Sequence, residues 1–376
     1  MAIRRKLIAG ITSLLSCTLS SVVLAASEVN MRPGVTETSQ EAFSLHMMVI
    51  WVMVAISVAV FGAMIYSFIF HRKSKNPTPA TFSHSTKVEM IWTIIPILIL
   101  IYLTIPAVKL LLKMEDASEP EMSVQVTGLQ WKWHYKYLED DIEFFSNLNR
   151  DLEIDDPNYL LDVDNRLVIP ADTKVRFLVT ASDVIHSWWV PDIAVKKDAI
   201  PGFINETWTK IPKPGIYRGQ CTELCGKDHG FMPVVVEVLS KEDYKTWVAQ
   251  KGEERVAAEK AAAEAAAQSW SMEQLMELGE KVYLGKGTCA NCHQKDGQGM
   301  PPAFPALKGG VITTGPVEGH IDIVVNGKSG TAMAGYGAQL TDAELAAVIT
   351  YERNAWGNNT GDKVQPADIQ AFKAGN

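Results

Sequence analysis

Hydrophobic and polar positions are spread very unevenly along this chain. Leu45 to Phe70 is a run of 26 residues without Asp, Glu, Lys or Arg, and Ile91 to Val108 gives 18 more, continuing to Leu112 past Lys109. At about 1.5 Å of rise per residue, either run can cross a hydrocarbon core of about 30 Å. The pattern therefore predicts a transmembrane hairpin over 40–113, with helices at about 45–70 and 90–112. Pro96 and Pro106 are tolerated there, because neighbouring helices re-satisfy the backbone. The intervening loop carries Arg72, Lys73, Lys75 and Lys87, with no acidic residue before Glu89. The positive-inside rule puts that loop in the cytoplasm and both hairpin ends outside. An earlier apolar stretch follows Arg4, Arg5 and Lys6 and ends in Val23-Leu24-Ala25; it reads as a signal peptide over 1–25. Cys17 within it weakly resembles a lipoprotein processing site, and an ordinary leader cysteine is the alternative.

Past the hairpin the period changes. From 120 to 240, short β-branched runs such as Val124–Thr127, Val175–Thr180 and Val234–Val238 alternate with turns marked by Pro170, Pro191, Pro201, Pro212 and Pro214. Several strands in such a span predict an all-β sandwich or barrel. Residues 241–270 turn to Ala, Glu and Lys, the composition of a helical, semi-rigid linker. Residues 271–376 mix helical segments with Gly- and Pro-rich loops, which suits a small all-α domain. One of its helices is expected at 341–354, with Thr341 as N-cap and Glu344 completing a capping box.

Composition sharpens this division. The net charge of −8 splits into +5 for residues 1–112 and −13 for the rest, so the acidic character belongs to the exported part. An acidic sum argues against a nucleic-acid partner. Five cysteines in 376 residues cannot form a disulfide scaffold. Ten acidic residues against Arg150 alone, between Glu139 and Asp164, read first as a solvated loop; a docking surface for a cationic donor is the functional alternative.

Two clusters carry chemistry. Cys221-Thr-Glu-Leu-Cys225-Gly-Lys-Asp-His229-Gly-Phe-Met232 gathers two thiols, an imidazole and a thioether into twelve residues, with His186 lying 35 residues before Cys221. Thiolate, thioether and imidazole select copper, zinc or iron–sulfur rather than magnesium or calcium. Cysteines four apart on a tight loop can set both sulfurs across a pair of ions. A Cys221–Cys225 disulfide is the structural alternative, though it leaves His229 and Met232 without a role. The second cluster, Cys289-Ala-Asn-Cys292-His293, is the c-type haem attachment signature: two thioethers to the porphyrin and His293 on the iron.

The first cluster, preceded by Asp-Val-Ile-His-Ser-Trp, resembles subunit II of the haem–copper cytochrome c oxidases. The resemblance covers the hairpin and the β domain to about residue 240. It implies a cupredoxin-like fold holding a dinuclear CuA centre: Cys221 and Cys225 bridge the coppers, His186 and His229 each bind one, and Met232 and the Glu223 carbonyl are weak axial ligands. The Glu223 side chain would then be free to reach a magnesium ion at the boundary with subunit I. Gln130-Trp131-Lys132-Trp133 resembles the aromatic stretch where electrons arrive, with Trp131 in that role and Trp133 more suited to the core. Lys87-Val-Glu89 resembles the start of the family's second helix, where Glu89 is associated with the mouth of a proton path. Residues 271–376 resemble class I cytochrome c domains, which places Met333 as sixth iron ligand. Met300 is then loop packing, and His320 a weaker competitor for the iron.

Together these matches imply subunit II of a caa-type oxidase. Its fold class is a multidomain membrane protein: a two-helix hairpin, an all-β CuA domain and an all-α cytochrome c domain. An external donor, such as a soluble cytochrome c or the bc complex, would feed haem c, then CuA, then subunit I, where oxygen becomes water with proton pumping. The chain would be part of an enzyme without reducing oxygen alone. Its partners would be subunits I and III and membrane lipid, in a bacterial inner membrane with both redox domains on the periplasmic side. Two rivals are a nitrous-oxide-reductase-like copper protein, which the two membrane anchors disfavour, and a copper-handling assembly protein, which would not need an attached haem. A quinol-oxidase subunit II would lack the copper cysteines.

Overall fold

In the computed structural model, residues 30–78 and 80–375 are described; the expected leader, with Cys17, lies outside them. Two long helices form the hairpin, α1 (Glu37–Phe70) and α2 (Thr86–Glu115). Both outrun the apolar stretches that announce them. α1 begins at Glu37 rather than near 45, because Thr36 and Ser39 form a reciprocal cap: Ser39 N donates to Thr36 Oγ1 at 3.1 Å and Thr36 N to Ser39 Oγ at 2.9 Å. Apolar counting marks only the part of a helix that meets hydrocarbon, and capping turns are polar. Large side chains along both helices, including Trp51, Phe68, Trp92 and Leu112, are exposed.

The next domain has ten strands: β1 (Met122–Leu129), β2 (Lys132–Tyr137), β3 (Ile142–Ser146), β4 (Leu167–Pro170), β5 (Lys174–Ala181), β6 (His186–Val190), β7 (Val195–Ala199), β8 (Asn205–Lys210), β9 (Gly215–Cys221) and β10 (Pro233–Leu239). They build two five-stranded sheets, in the orders β3-β2-β1-β5-β8 and β4-β10-β9-β6-β7. Alternation supplies the core: Val124, Val126, Tyr135, Phe177, Trp188 and Val236 are fully buried. The hairpin is docked on this domain. Val35 N donates to Asp192 O at 2.8 Å, and Trp208 Nε1 to Lys113 O at 3.1 Å.

Several carboxylates of the acidic 139–164 segment are engaged internally. Asp140 accepts from Tyr244 Oη at 2.8 Å, and Asp162 pairs with Arg166 and Arg218 at 3.3 and 3.5 Å.

The linker is one helix, α3 (Lys241–Ala267), anchored on the β domain by Tyr244 and by Trp247, whose ring stands 5.4 Å from that of Tyr137. The last domain contains α4 (Met272–Leu284), α5 (Ala290–His293), α6 (Val311–Thr314), α7 (Val317–Asn326), α8 (Asp342–Asn354) and α9 (Pro366–Gly375). α8 has the cap expected of it: Glu344 N donates to Thr341 Oγ1 and Thr341 N to Glu344 Oε2. α4 crosses α8 so closely that a Cβ on Gly279 would lie 2.2 Å from Ala347 O.

Candidate functional site

The thiolate cluster sits where β6 and β9 meet a loop. β9 delivers Cys221 at its last residue, and β6 opens with His186. The chain then folds back through Cys225 into a short 3-10 turn, His229–Phe231, and re-enters the sheet after Met232. The sulfurs of Cys221 and Cys225 are 3.9 Å apart. Cys225 Sγ is 3.5 Å from His229 Nδ1 and 3.6 Å from Met232 Sδ, while Cys221 Sγ is 3.4 Å from the Glu223 carbonyl. A ring nitrogen of His186 and both sulfurs lie within 4.8 Å of one another. The Glu223 side chain is exposed.

The surroundings orient these donors. Asp183 Oδ1 is 2.8 Å from His186 Nε2, which leaves Nδ1 buried and without a partner. The ring rests against Gly128, where a Cβ would come within 2.8 Å of it. Burial acts to lower the His186 pKa, but the hydrogen-bonded Asp183 carboxylate and the nearby Cys221 sulfur outweigh this and hold it above the ordinary value. The bond from Cys225 is the largest influence pulling Cys221 far down, and the same bond, with burial, pushes Cys225 up. Two thiols, two imidazoles presenting Nδ1 and a thioether form a donor set that fits copper, and the orphaned Nδ1 marks where an ion would bind.

Two residues outside the motif complete the site. Gln130 Nε2 and Trp131 Nε1 both donate to the Cys225 carbonyl, at 2.7 and 3.2 Å. Trp133 is fully buried and donates to Met232 O at 3.3 Å, the core placement expected of it.

On its other side, Trp131 lines a cavity of about 510 Å³ shared with the α-helical domain. Cys289, Cys292, His293, Met333 and His320 also line it. His293 Nδ1 donates to Pro305 O at 2.9 Å, which leaves Nε2 for a metal. The Cys289 and Cys292 thiols are raised by burial, Cys292 to about 11. His320 Nε2 is 2.9 Å from Glu352 Oε2. Met300 is not among the lining residues; its backbone pairs with Phe304.

The seam between the domains is specific. The Trp131 and Phe304 rings meet edge-on at 6.4 Å. Lys132 Nζ donates to Gln339 Oε1 at 2.6 Å and lies 4.7 and 5.4 Å from the Phe145 and Tyr336 ring centroids. Lys227 Nζ donates to Asn291 O at 2.8 Å. Burial brings the Lys132 amine down to about 8. Asp183, Gln130 and Lys132 have no role of their own in the sequence motifs that contain them. Asp183 had a signal, a carboxylate three residues before a candidate ligand; Lys132 had none, since its partners come from a distant segment. Glu89 lies in the first turn of α2, where Oε1 accepts from Ser85 N at 3.3 Å.

A membrane-anchored β domain with a copper-type thiolate cluster, fused to a cytochrome c domain, defines a class of respiratory electron-transfer protein. The chain belongs to the cytochrome c oxidase subunit 2 family. It matches the family descriptions "Cytochrome C oxidase subunit II, periplasmic domain" over 122–239 and "Cytochrome C oxidase subunit II, transmembrane domain" over 25–110. Over 274–351 it matches "Cytochrome C oxidase, cbb3-type, subunit III". It is 45% identical over 226 residues to a probable cytochrome c oxidase subunit 2 of Rickettsia bellii, covering 60% of this chain and 84% of the relative. It is 37% identical over 232 residues to cytochrome c oxidase subunit 2 of Cyanidium caldarium, covering 60% and 91%. Among solved structures, the periplasmic domain of subunit II of cytochrome oxidase from Bradyrhizobium japonicum is 40% identical, with a TM-score of 0.35, over 37% of this chain and 98% of that one. The family domains imply copper and haem, in a membrane-anchored subunit with a periplasmic domain.

Proposed function

We propose that this chain is the electron-input subunit of a terminal oxidase, with the redox centres in series. When bound, a covalent haem c and a dinuclear copper centre supply one-electron carriers between an outside donor and subunit I, where oxygen is reduced with proton pumping. Cys289 and Cys292 hold the haem, with His293 and Met333 on its iron. His186, Cys221, Cys225, His229 and Met232 hold the copper pair, with the Glu223 carbonyl. Trp131 joins the two sites. The observation that carries this reading is its double placement, on the cavity lined by Cys289, Cys292 and His293 and with its N–H on the Cys225 carbonyl.

The remaining roles rest on the family resemblance. Glu223 faces outward, free for a magnesium ion at the subunit I boundary. Glu89 stands at a helix start for proton uptake there. Subunits I and III, a soluble cytochrome c or the bc complex as donor, a bacterial inner membrane, and domain limits of 40–113, 120–240, 241–270 and 271–376 complete the assignment.

The test is metal and haem analysis of the purified full-length protein, followed by rapid reduction. Two coppers, one covalent haem and a mixed-valence copper signal are expected, with haem reduced before copper. Zinc in place of copper, or copper reduced ahead of haem, would overturn the reading.

A further inference from the structure

Lys132 belongs to the β domain, yet its amine ends in the haem domain. The residue opens β2, is 6% exposed, and lines the cavity that also contains Cys289, Cys292 and His293. Among the described residues, its hydrogen-bond acceptor is the neutral amide of Gln339, at 2.6 Å, and the rings of Phe145 and Tyr336 flank it. Asp164 and Asp183 act on it only through space. A buried ammonium carries a desolvation cost that a neutral side chain spanning the same seam would avoid. The charge therefore asks for a function of its own.

What the charge acts on is the haem attachment site. Burial raises both attachment thiols, and against it a lysine of the β domain pulls each one down: Lys132 acts on Cys289, and Lys227 on Cys292. Lys227 is fixed there by its bond to Asn291 O at 2.8 Å, between the two cysteines in sequence. Once both sulfurs are thioethers they carry no charge, so the field of the lysines falls on the haem they hold. Loss of one electron adds one positive charge to that haem. Like charges in a site of low dielectric repel more strongly than in water.

From these observations we propose that Lys132 is a charge supplied by the β domain to the haem site, which makes the two domains dock more tightly when the haem is ferrous than when it is ferric; this rests on the covalent-haem reading above. Linkage fixes the converse: the factor by which reduction tightens docking is the factor by which docking raises the ratio of ferrous to ferric haem. Lys132 acts through its charge and touches neither metal. The haem domain then seats on Trp131 while it carries an electron, and its hold loosens once that electron has passed to the copper pair.

The experiment uses the full-length protein in detergent, well below the docked amine's value of about 8, with Lys132→Met and Lys132→Arg beside the wild type. Cross-linking between the domains is measured with the haem fully reduced and fully oxidised, in the holoprotein and again after chelation of its copper, so that the haem alone changes state. In the wild type the ratio of docked to undocked protein is about fivefold higher when reduced. In Lys132→Met that difference shrinks, and at a fixed ambient potential the ratio of reduced to oxidised haem falls by about the same factor. Lys132→Arg, which keeps the charge, restores most of both, and the Met-ligated haem spectrum is unchanged throughout. Wild-type cross-linking that ignores the oxidation state of the haem, or is stronger with ferric haem, overturns the inference while leaving the covalent-haem reading intact. A Lys132→Met protein with one covalent haem at the wild-type potential does the same. A wild-type protein without covalent haem overturns both.

Discussion

At the scale of residues, the copper cluster depends on a few atoms held by neighbours outside its motif. Replacing Cys221 by Ser removes one of two thiolates 3.9 Å apart, and the mixed-valence copper signal should vanish while the haem spectrum is unchanged. Electron paramagnetic resonance beside an absorption spectrum reads both. Trp131→Leu should leave both cofactors in place but slow copper reduction by about tenfold or more, because the group positioned between them is gone; stopped-flow reduction with a small-molecule donor measures it, and an unchanged rate would remove Trp131 from the path. Met333→Leu should replace the thioether-ligated low-spin spectrum, whereas Met300→Leu should not, since Met300 is not among the cavity's lining residues. The ligand types were legible in sequence because each carries its chemistry in its side chain. Their second partners were not: Asp183 on His186 and Pro305 on His293 are fixed by loops whose return path no local pattern records.

At the scale of elements, legibility follows the strength of the period. The two membrane helices and α8 stand out, the first two by long uncharged runs and the third by its cap. Two edge strands carry no such period. β7 (Val-Lys-Lys-Asp-Ala) and β8 (Asn-Glu-Thr-Trp-Thr-Lys) lie at or near sheet edges and carry polar side chains to solvent, so their pairing is set by the sheets beside them. The α4–α8 crossing gives a direct test of packing. Ala347 O and Tyr351 Cβ both stand within 2.5 Å of the point a Cβ on Gly279 would occupy, so Gly279→Val should destabilise the haem domain by about 3 kcal/mol. Thr341→Ala should cost only about 1 kcal/mol, the loss of one cap. Thermal unfolding of the whole chain, followed at the haem, ranks the two; equal losses would contradict the close crossing.

At the scale of the whole molecule, the seam at Lys132 makes domain docking depend on pH. Burial holds the docked amine at about 8, against 10.5 for an exposed lysine. Below about pH 8 the charged amine must be buried in full, and its cost is constant. Between about 8 and 10.5 the docked form gives up the proton more readily than the undocked form, so docking strengthens as pH rises through that window. Cross-linking between the β and haem domains should increase over this range in the wild type and lose the dependence in Lys132→Met. Cross-linking that weakens with rising pH, or a dependence that persists in Lys132→Met, would exclude Lys132 as its source.

The edge-on contact of Trp131 with Phe304 also changes who competes for the copper site. A cytochrome carried on the same chain meets it at an effective concentration on the order of millimolar, whatever the supply of free carriers. On the proposed route, delivery across the seam is a first-order event, indifferent to dilution, and a diffusing donor gains nothing by seeking the tryptophan, which the tethered domain already covers. Ionic strength and crowding would then govern only the outer handshake, where an electron first reaches the chain.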